Sequence, residues 1–335
     1  MLNNKLQIIA EVGVNHNGSI KIAKKLVKVA KNSGATFVKF QMFNAANHIL
    51  KNTKLASYQM KNLSSKISQY EMAKKYEFSK KDFLIINNYC KKNKIFFLAS
   101  VFDVKSFKSY LTFKNNFIKI PSGEITNFEL LNEISKHKLK VFLSTGMSNL
   151  LEIKQAISLL KSKKKIKDII VLQCTTEYPS NHNNANLNVL KTFQQKLKCS
   201  FGYSDHTLGY ETSMLAVALG AKVLEKHITL NKNMKGPDHL ASCNPIEFKN
   251  YVKAIKRSLS ILGSNEKKTL LEEKKTLLLV RKSIVAKKKI LKNEIFSKYN
   301  LTVKRPGDGV SSSNFLKLIG KKSKFNFEKD EKIKI

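Results

Sequence analysis

Ser200-Phe201-Gly202-Tyr203-Ser204-Asp205-His206 and Val223-Leu224-Glu225-Lys226-His227-Ile228-Thr229 are two short, largely apolar runs, each carrying a histidine near its end. Both read as buried strands, and the stretch between them, 208–220, reads as a helix. A strand, a helix and a second strand predict two neighbouring parallel strands. The alternation extends outward from this pair. Strands are predicted at 7–14, 36–43, 95–101, 117–123, 140–147 and 169–176, then at 200–205 and 223–230. Helices are predicted at 20–33, 81–92, 104–114, 128–138, 150–163, 187–198, 208–220 and 245–262. Ile153, Ile157 and Leu160 keep helical spacing, as do Val252, Ile255 and Leu259. Eight strands, each followed by a helix, predict an α/β fold of the (β/α)8 TIM-barrel class over residues 1–262. A doubly wound open sheet shares the alternation, but no Gly-rich nucleotide turn follows the first strand.

Residues 44–79 separate the second strand from its helix, far beyond a usual connection. In a barrel this insertion falls on the catalytic face, where it can cover a substrate or be a surface excursion. Residues 263–280, rich in Lys, Glu and Leu, read as a helical linker. From 281 to 335 the pattern changes to short strands and turns, predicting a small, mostly β unit with a thin core.

The chain has 335 residues and 42% apolar content, which excludes a largely disordered protein. No apolar stretch is long enough to cross a bilayer, and no secretory leader core is present. Cys90, Cys174, Cys199 and Cys243 show no paired spacing, which fits free thiols in a reducing cytoplasm. The net charge of +38 raises nucleic-acid binding. Of 62 basic residues, however, only Arg257, Arg281 and Arg305 are arginines. Nucleic-acid surfaces favour the planar guanidinium, and here lysines are spread over nearly every helix. Solvated lysine faces with nonspecific polyanion attraction at low salt are expected, without a specific nucleic-acid partner.

Barrel chemistry sits at the C-terminal ends of strands. There the sequence places Glu11, Lys39, Gln41, Ser100, Lys119, Ser122, Glu124, Ser144, Thr176, Tyr178, Ser204, His206, Glu225 and His227, with Asp238 beyond the eighth strand. His206 and His227 fall side by side on one rim, as a divalent-ion pair or as hydrogen-bonded core histidines. Lys39 and Lys119 interrupt apolar runs, and a buried ammonium needs an anion. That anion is either Glu11 or Glu124, or a phosphate- and carboxylate-bearing substrate held with the serines.

The runs Ile8-Ile9-Ala10-Glu11-Val12-Gly13-Val14-Asn15-His16-Asn17-Gly18, Val38-Lys39-Phe40-Gln41, Lys119-Ile120-Pro121-Ser122-Gly123-Glu124, Leu143-Ser144-Thr145-Gly146-Met147, Glu177-Tyr178-Pro179, Ser204-Asp205-His206-Thr207, Glu225-Lys226-His227 and Gly236-Pro237-Asp238-His239 together resemble the bacterial sialic acid synthase family. That family includes synthases of legionaminic and pseudaminic acid. Lys304-Arg305-Pro306-Gly307 resembles its C-terminal antifreeze-like (SAF) domain.

The resemblance implies a transferase that condenses phosphoenolpyruvate with N-acetylmannosamine to N-acetylneuraminate, releasing phosphate by C–O cleavage. The alternative product is legionaminic or pseudaminic acid, from a 2,4-diacetamido-trideoxyhexose. It implies Mn²⁺ or Mg²⁺ on His206 and His227 as a Lewis acid. Lys39, Lys119, Ser100, Ser122, Ser144 and Ser204 would hold phosphoenolpyruvate; Gln41, Tyr178 and Asp238, with Thr176 nearby, the sugar. Glu124 first, then Glu11, would stabilise the oxocarbenium and deliver water. Arg305 would reach the N-acetyl group in a partner's barrel, implying a domain-swapped homodimer. Two readings of other classes are a Schiff-base aldolase on Lys119 or Lys39 and a basic nucleic-acid-binding protein. Departures from the family pattern are Ala99-Ser100-Val101-Phe102 for Ser-Thr-Pro-Phe, Gln173-Cys174-Thr175-Thr176 for His-Cys-Asn-Thr, and Leu291-Lys292-Asn293-Glu294 for a Lys-Gly-Glu turn. Asn tolerates positive φ, so that turn should survive.

Overall fold

Eight parallel strands close into a barrel in chain order: β1 Gln7–Gly13, β2 Phe37–Met42, β3 Phe96–Val101, β4 Phe117–Ile120, β5 Lys140–Ser144, β6 Asp168–Cys174, β7 Ser200–Asp205 and β8 Val223–His227. The computed structural model describes residues 6–63 and 67–335. It comprises two units, Met1–Gly263 and Ser264–Ile335.

The helices of the first unit are α1 Ile20–Ser33, α2 Ala45–His48, α3 Ser57–Leu63, α4 Gln69–Tyr76, α5 Lys80–Lys92, α6 Val104–Leu111, α7 Phe128–Ser135, α8 Leu150–Lys161, α9 Val189–Lys196, α10 Glu211–Ala218 and α11 Pro245–Leu262. Local chemistry sets their ends. Ser79 and Asp82 form a capping box on α5, and Asn149 with Glu152 does so on α8. Asn244 and Glu247 cap α11, with Pro245 at its first turn. The apolar stripes of these helices pack on the outward faces of the strands, where Val38, Phe40, Phe97, Val141 and Leu224 join Leu26, Ile86, Leu131 and Ile255 in one core.

The barrel class is as expected, with strands shorter at their C-terminal ends: the predicted 117–123 stops at Ile120 and 223–230 at His227. After Ile120 the chain enters a 3-10 turn, Ser122–Glu124, and after His227 it leaves the barrel as a loop. The insertion is not a bare loop. It folds as α2, α3 and α4, and Leu55, Met72 and Tyr76 pack with Val14 in a small cluster of their own.

In the second unit, α12 Leu271–Val280 precedes an antiparallel pair, β9 Ser283–Ala286 with β10 Leu301–Lys304, and a short helix α13 Phe315–Leu318. Ile284, Ala286, Ile290, Phe296, Leu301, Leu318, Phe327 and Ile333 make its core. Asn293 takes φ 70°, so the expected turn survives without glycine. Among the described residues no helix is long and apolar enough to cross a membrane.

Candidate active site at the barrel mouth

Strand alternation of period two sorts every side chain to the helices or to the barrel interior. Ile9, Phe37, Leu98, Phe142, Ile170, Leu172 and Val223 meet as an apolar plug inside the barrel. Two residues further along the same strands stand Glu11, Lys39, Ser100, Ser144 and Glu225, and on neighbouring strands Lys119 and Ser204. A polar storey therefore sits directly on an apolar one.

The polar storey is an ion network. Lys39 Nζ lies 2.9 Å from Glu11 Oε2 and 3.5 Å from Glu225 Oε1. Lys119 Nζ donates to both oxygens of Glu225 at 3.1 Å. Lys39 also donates to Ser100 Oγ at 2.9 Å, and Ser204 Oγ donates to Glu225 at 3.1 Å. All four charged groups are almost fully buried. Glu225 is the hub. Burial opposes its charge, yet Lys119 and Lys39 hold it down to about 2. Burial raises Glu11 despite Lys39. Burial works against Lys39 too, but Glu11 and Glu225 overcome it and raise its pKa, whereas burial prevails at Lys119 and lowers it. Of the two carboxylates the sequence offered to the lysines, Glu11 pairs with Lys39, whereas Glu124 is not in the network and Lys119 pairs with Glu225. Lys119 on β4 and Glu225 on β8 lie on opposite sides of the barrel and meet across its interior only once it is closed.

The other carboxylate beside a histidine, Asp205, has a different fate. It faces the helices, pairs with Lys226 at 2.9 Å, and accepts from Thr207, Thr212 and Ser213. It ties β7 and β8 to α10 and takes no part in the mouth.

Above the ion network stand the two imidazoles, ring centroids 5.4 Å apart. His206 Nδ1 donates to the Thr175 carbonyl oxygen at 2.6 Å, which leaves Nε2 with its lone pair. His227 Nδ1 is buried without a hydrogen-bond partner. Burial keeps both rings neutral, His206 at about 4 and His227 well below its ordinary value. Two rings bound to one ion at about 2.1 Å would have centroids roughly 4.5–5.5 Å apart, so the pair fits a shared divalent ion. Among the described residues no three His, Cys, Asp or Glu side chains converge as a ligand set. An ion here would complete its shell with substrate or water oxygens.

Tyr178 lies over His206 at 4.1 Å and edge-on to His227 at 5.6 Å. Gln41 Nε2 donates to Glu11 Oε1 at 3.3 Å. Asp238 is buried beside them, and burial followed by the charge of Glu11 pushes its carboxyl up to about 7. Gly13, at φ +54°, sits where any Cβ would press on Gln41, Glu11 and Asp238 at 3.3–3.5 Å. Ser144 Oγ is buried and unpartnered. Ser122 Oγ accepts from the Gly146 N–H at 3.0 Å and touches Cys174 Sγ at 3.1 Å. A side chain at Gly146 would overlap Thr176 Oγ1.

These groups open into a cavity lined by Gln41, Tyr178, His227 and Asp238 on the barrel side. The insertion supplies Ile49, Tyr58, Gln59, Met72 and Tyr76, and Phe43 and Phe102 add an apolar flank. Glu124 stands apart from the ion network. It follows β4, accepts from Asn127 Nδ2 at 2.7 Å, and lines a side pocket with Asn47, His48 and Phe102. Arg305 is an exposed residue just after β10 in the second unit. Sequence reasoning underweighted Glu225, although it sits two residues before His227 and so shares its face. The insertion residues at the cavity wall carried no sequence signal.

The mouth of the closed barrel thus gathers two lysines, two carboxylates and two imidazoles, at the end of the barrel where enzymes of this fold carry their chemistry. The NeuB family matches residues 26–267, and the SAF domain matches 281–334. The chain belongs to the NeuB family, the sialic acid synthase family. It is 46% identical over 331 residues to the N,N'-diacetyllegionaminic acid synthase of Campylobacter jejuni, covering 98% of this chain and 99% of that one. It is 40% identical to the enzyme of the same name from Legionella pneumophila, covering 95% and 90%. A crystal structure of N-acetylneuraminic acid synthetase from Leptospira borgpetersenii is similar with TM-score 0.72 and 32% identity, covering 82% of this chain and 91% of that one. Of the products expected from the sequence, legionaminic acid, the alternative, is better supported than N-acetylneuraminate.

Proposed function

We propose that this protein condenses phosphoenolpyruvate with a 2,4-diacetamido-trideoxyhexose, forming N,N'-diacetyllegionaminic acid and phosphate in the cytoplasm. The observation that carries the reading is the neutral imidazole pair standing over the Glu11–Lys39–Glu225–Lys119 network at one mouth. The 46% identity to a legionaminic acid synthase favours the diacetamido sugar. So does the apolar flank of Phe43, Ile49, Met72 and Phe102, which suits a 6-deoxy sugar better than one with a terminal hydroxyl.

Lys39 and Lys119 hold the anionic groups of phosphoenolpyruvate, with Ser100, Ser122, Ser144 and Ser204 as neutral donors. The open hydroxyl of Ser144 supports this. Tyr178, Gln41, Asp238 and Thr176 orient the sugar. His206 and His227 would hold a divalent ion, Mn²⁺ before Mg²⁺ for imidazole ligands, which would supply Lewis-acid polarisation of the sugar aldehyde. The methylene carbon of phosphoenolpyruvate bonds to that aldehyde carbon, and positive charge develops at the former enol carbon. Glu124, expected first for the carboxylate work, stands in the side pocket; Glu225, locked ionised by two lysines, takes its place beside Glu11, whose proton is held more tightly. The carbonyl π pair passes to the aldehyde oxygen as the carbon–carbon bond forms; Glu11 takes one proton of the water that adds at the former enol carbon and returns it to that oxygen, and the new hydroxyl gives its remaining proton to the departing phosphate, which leaves with its bridging oxygen as the ketone forms. Glu124 contacts the sugar from the side pocket. Residues 1–262 form the catalytic domain, 263–280 the linker and 281–335 the SAF domain, whose Arg305 closes a partner's barrel in a domain-swapped homodimer.

A phosphate-release assay with phosphoenolpyruvate, Mn²⁺ and a panel of 2-acetamido and 2,4-diacetamido hexoses tests the reading. Turnover should be highest with a diacetamido sugar, vanish with EDTA, and fall to background in His206→Ala. Metal-independent turnover, or borohydride trapping on Lys119, would instead indicate a Schiff-base aldolase.

A further inference from the structure

The end of the barrel opposite the mouth carries none of the reacting groups, yet its charge is one-sided. Helices of a (β/α)8 barrel run back to the N-terminal ends of the strands, so helix C-termini, the connections after them and the first strand residues share one face. The connection from α8 to β6 brings Lys161, Lys163, Lys164, Lys165 and Lys167 there, all exposed. β6 lies between β5 and β7. The connections before those two strands add Lys136, Lys138, Lys196 and Lys198, exposed as well. Among the described residues of the barrel unit, only two carboxylates, Glu133 and Asp168, lie at this end. Each is already paired, with Lys136 at 2.6 Å and with Lys140 at 3.1 Å.

Helix ends account for part of this. Lys161 and Lys196 sit in last turns, where the helix dipole favours a cation. The lysines at 163–167 lie beyond α8 and have no such role. Lysine also takes left-handed turn positions at this face: Lys94, Lys114 and Lys164 have φ 53–56°, where Gly34 and Gly220 serve the equivalent connections. Side chains disfavour that conformation, and neighbouring ammonium groups repel, so the cations stand here against two local preferences. Beside them, two residues before Leu98 of the apolar plug, Phe96 floors the barrel and stays 48% exposed. The rings of Phe37 and Phe117 lie 5.5 and 5.7 Å from it.

We propose that this face docks on an anionic phospholipid bilayer. Ammonium groups are point charges that suit phosphates spread over a plane, and no arginine fork lies in these connections. No helix lies along the face to enter a nucleic-acid groove. Lysines around an exposed aromatic ring are the composition of surfaces that rest at headgroup level. Docking by this face leaves the mouth, at the other end, open to soluble substrates. The inference is independent of which sugar the enzyme uses.

Vesicle sedimentation with the full chain at physiological ionic strength tests it. Vesicles of phosphatidylcholine alone are compared with an equimolar mixture of phosphatidylcholine and phosphatidylglycerol. Two variants lose the same charge: Lys161→Gln, Lys163→Gln, Lys165→Gln and Lys167→Gln together, and Lys287→Gln, Lys288→Gln, Lys292→Gln and Lys321→Gln together. The second set is exposed in the other unit. Wild type should bind the mixed vesicles and leave the neutral ones. Each lysine near an anionic surface contributes up to about fivefold in affinity, so the first variant should bind about tenfold more weakly or worse, and the second within about threefold of wild type. Equal weakening in both variants would assign binding to net charge and overturn the proposal. Absence of vesicle binding overturns it too, as does displacement from vesicles by RNA at matched phosphate concentration, which would give the face to nucleic acid.

Discussion

Lys119 and Glu225 meet at 3.1 Å with almost no solvent access, so loss of Glu225 strands the Lys119 charge and loss of Lys119 leaves Glu225 only the longer Lys39 contact at 3.5 Å. Lys119→Met should therefore cost about 3–5 kcal/mol in urea unfolding. Replacing both, with Glu225→Leu added, should recover much of that loss. A single variant as stable as wild type would show that the network does not hold the barrel. Asp238 makes a second residue-level prediction. Its folded carboxyl sits at about 7, raised above the usual carboxylate value, so the folded chain keeps a proton that the unfolded chain releases. Between about pH 4 and pH 7 its contribution to stability falls as pH rises, by roughly 1.4 kcal/mol per unit. Asp238→Asn removes that slope. The melting-temperature advantage of the variant should widen from pH 4 to pH 7 and stay level above; a constant offset would mean Asp238 is ionised throughout. The inward placement of Glu11, Lys39, Ser100, Lys119, Ser144 and Ser204 was legible, because polar groups at every second position of an apolar strand betray an inward face. Their partners were not. The sequence offers Lys119 either Glu11, Glu124 or a substrate anion, whereas its partner Glu225 is 106 residues along the chain.

At the scale of elements, β7 depends on Gly202. It is an inward position, and a Cβ there would overlap the Val223 carbonyl oxygen and press on Leu172. Gly202→Ala should force β7 from β8 and cost at least about 1–3 kcal/mol, read as a lower urea midpoint. An unaltered midpoint would mean the strands part freely. The β7–β8 spacing that a methyl would disturb also sets the distance between His206 and His227. Strand and helix positions were readable because alternation and 3.6-residue periodicity are local. Residues 200–205 match the observed strand, and 245–262 the observed helix. The insertion was not readable as structure. α2, α3 and α4 are four to eight residues long, too short to show a period, and are held by packing of Leu55, Met72 and Tyr76 on Val14.

The whole molecule combines a barrel rich in chemistry with a small unit whose core is eight buried residues. Deleting residues 281–335 should lower kcat/KM for the sugar at least tenfold while leaving the KM for phosphoenolpyruvate within a few-fold. Wild-type sugar kinetics in the truncated chain would refute the closing role of Arg305. Composition and periodicity by themselves determined the fold class and which polar side chains point into the barrel at the C-terminal ends of its strands, since those depend on local alternation. Closure of the barrel decided the rest: which lysine meets which carboxylate, that Asp205 turns to the helices while Glu225 becomes the hub, and that the insertion walls the cavity. Such pairings are contacts between residues far apart in the chain, and no local pattern encodes the register at which the first and last strands meet.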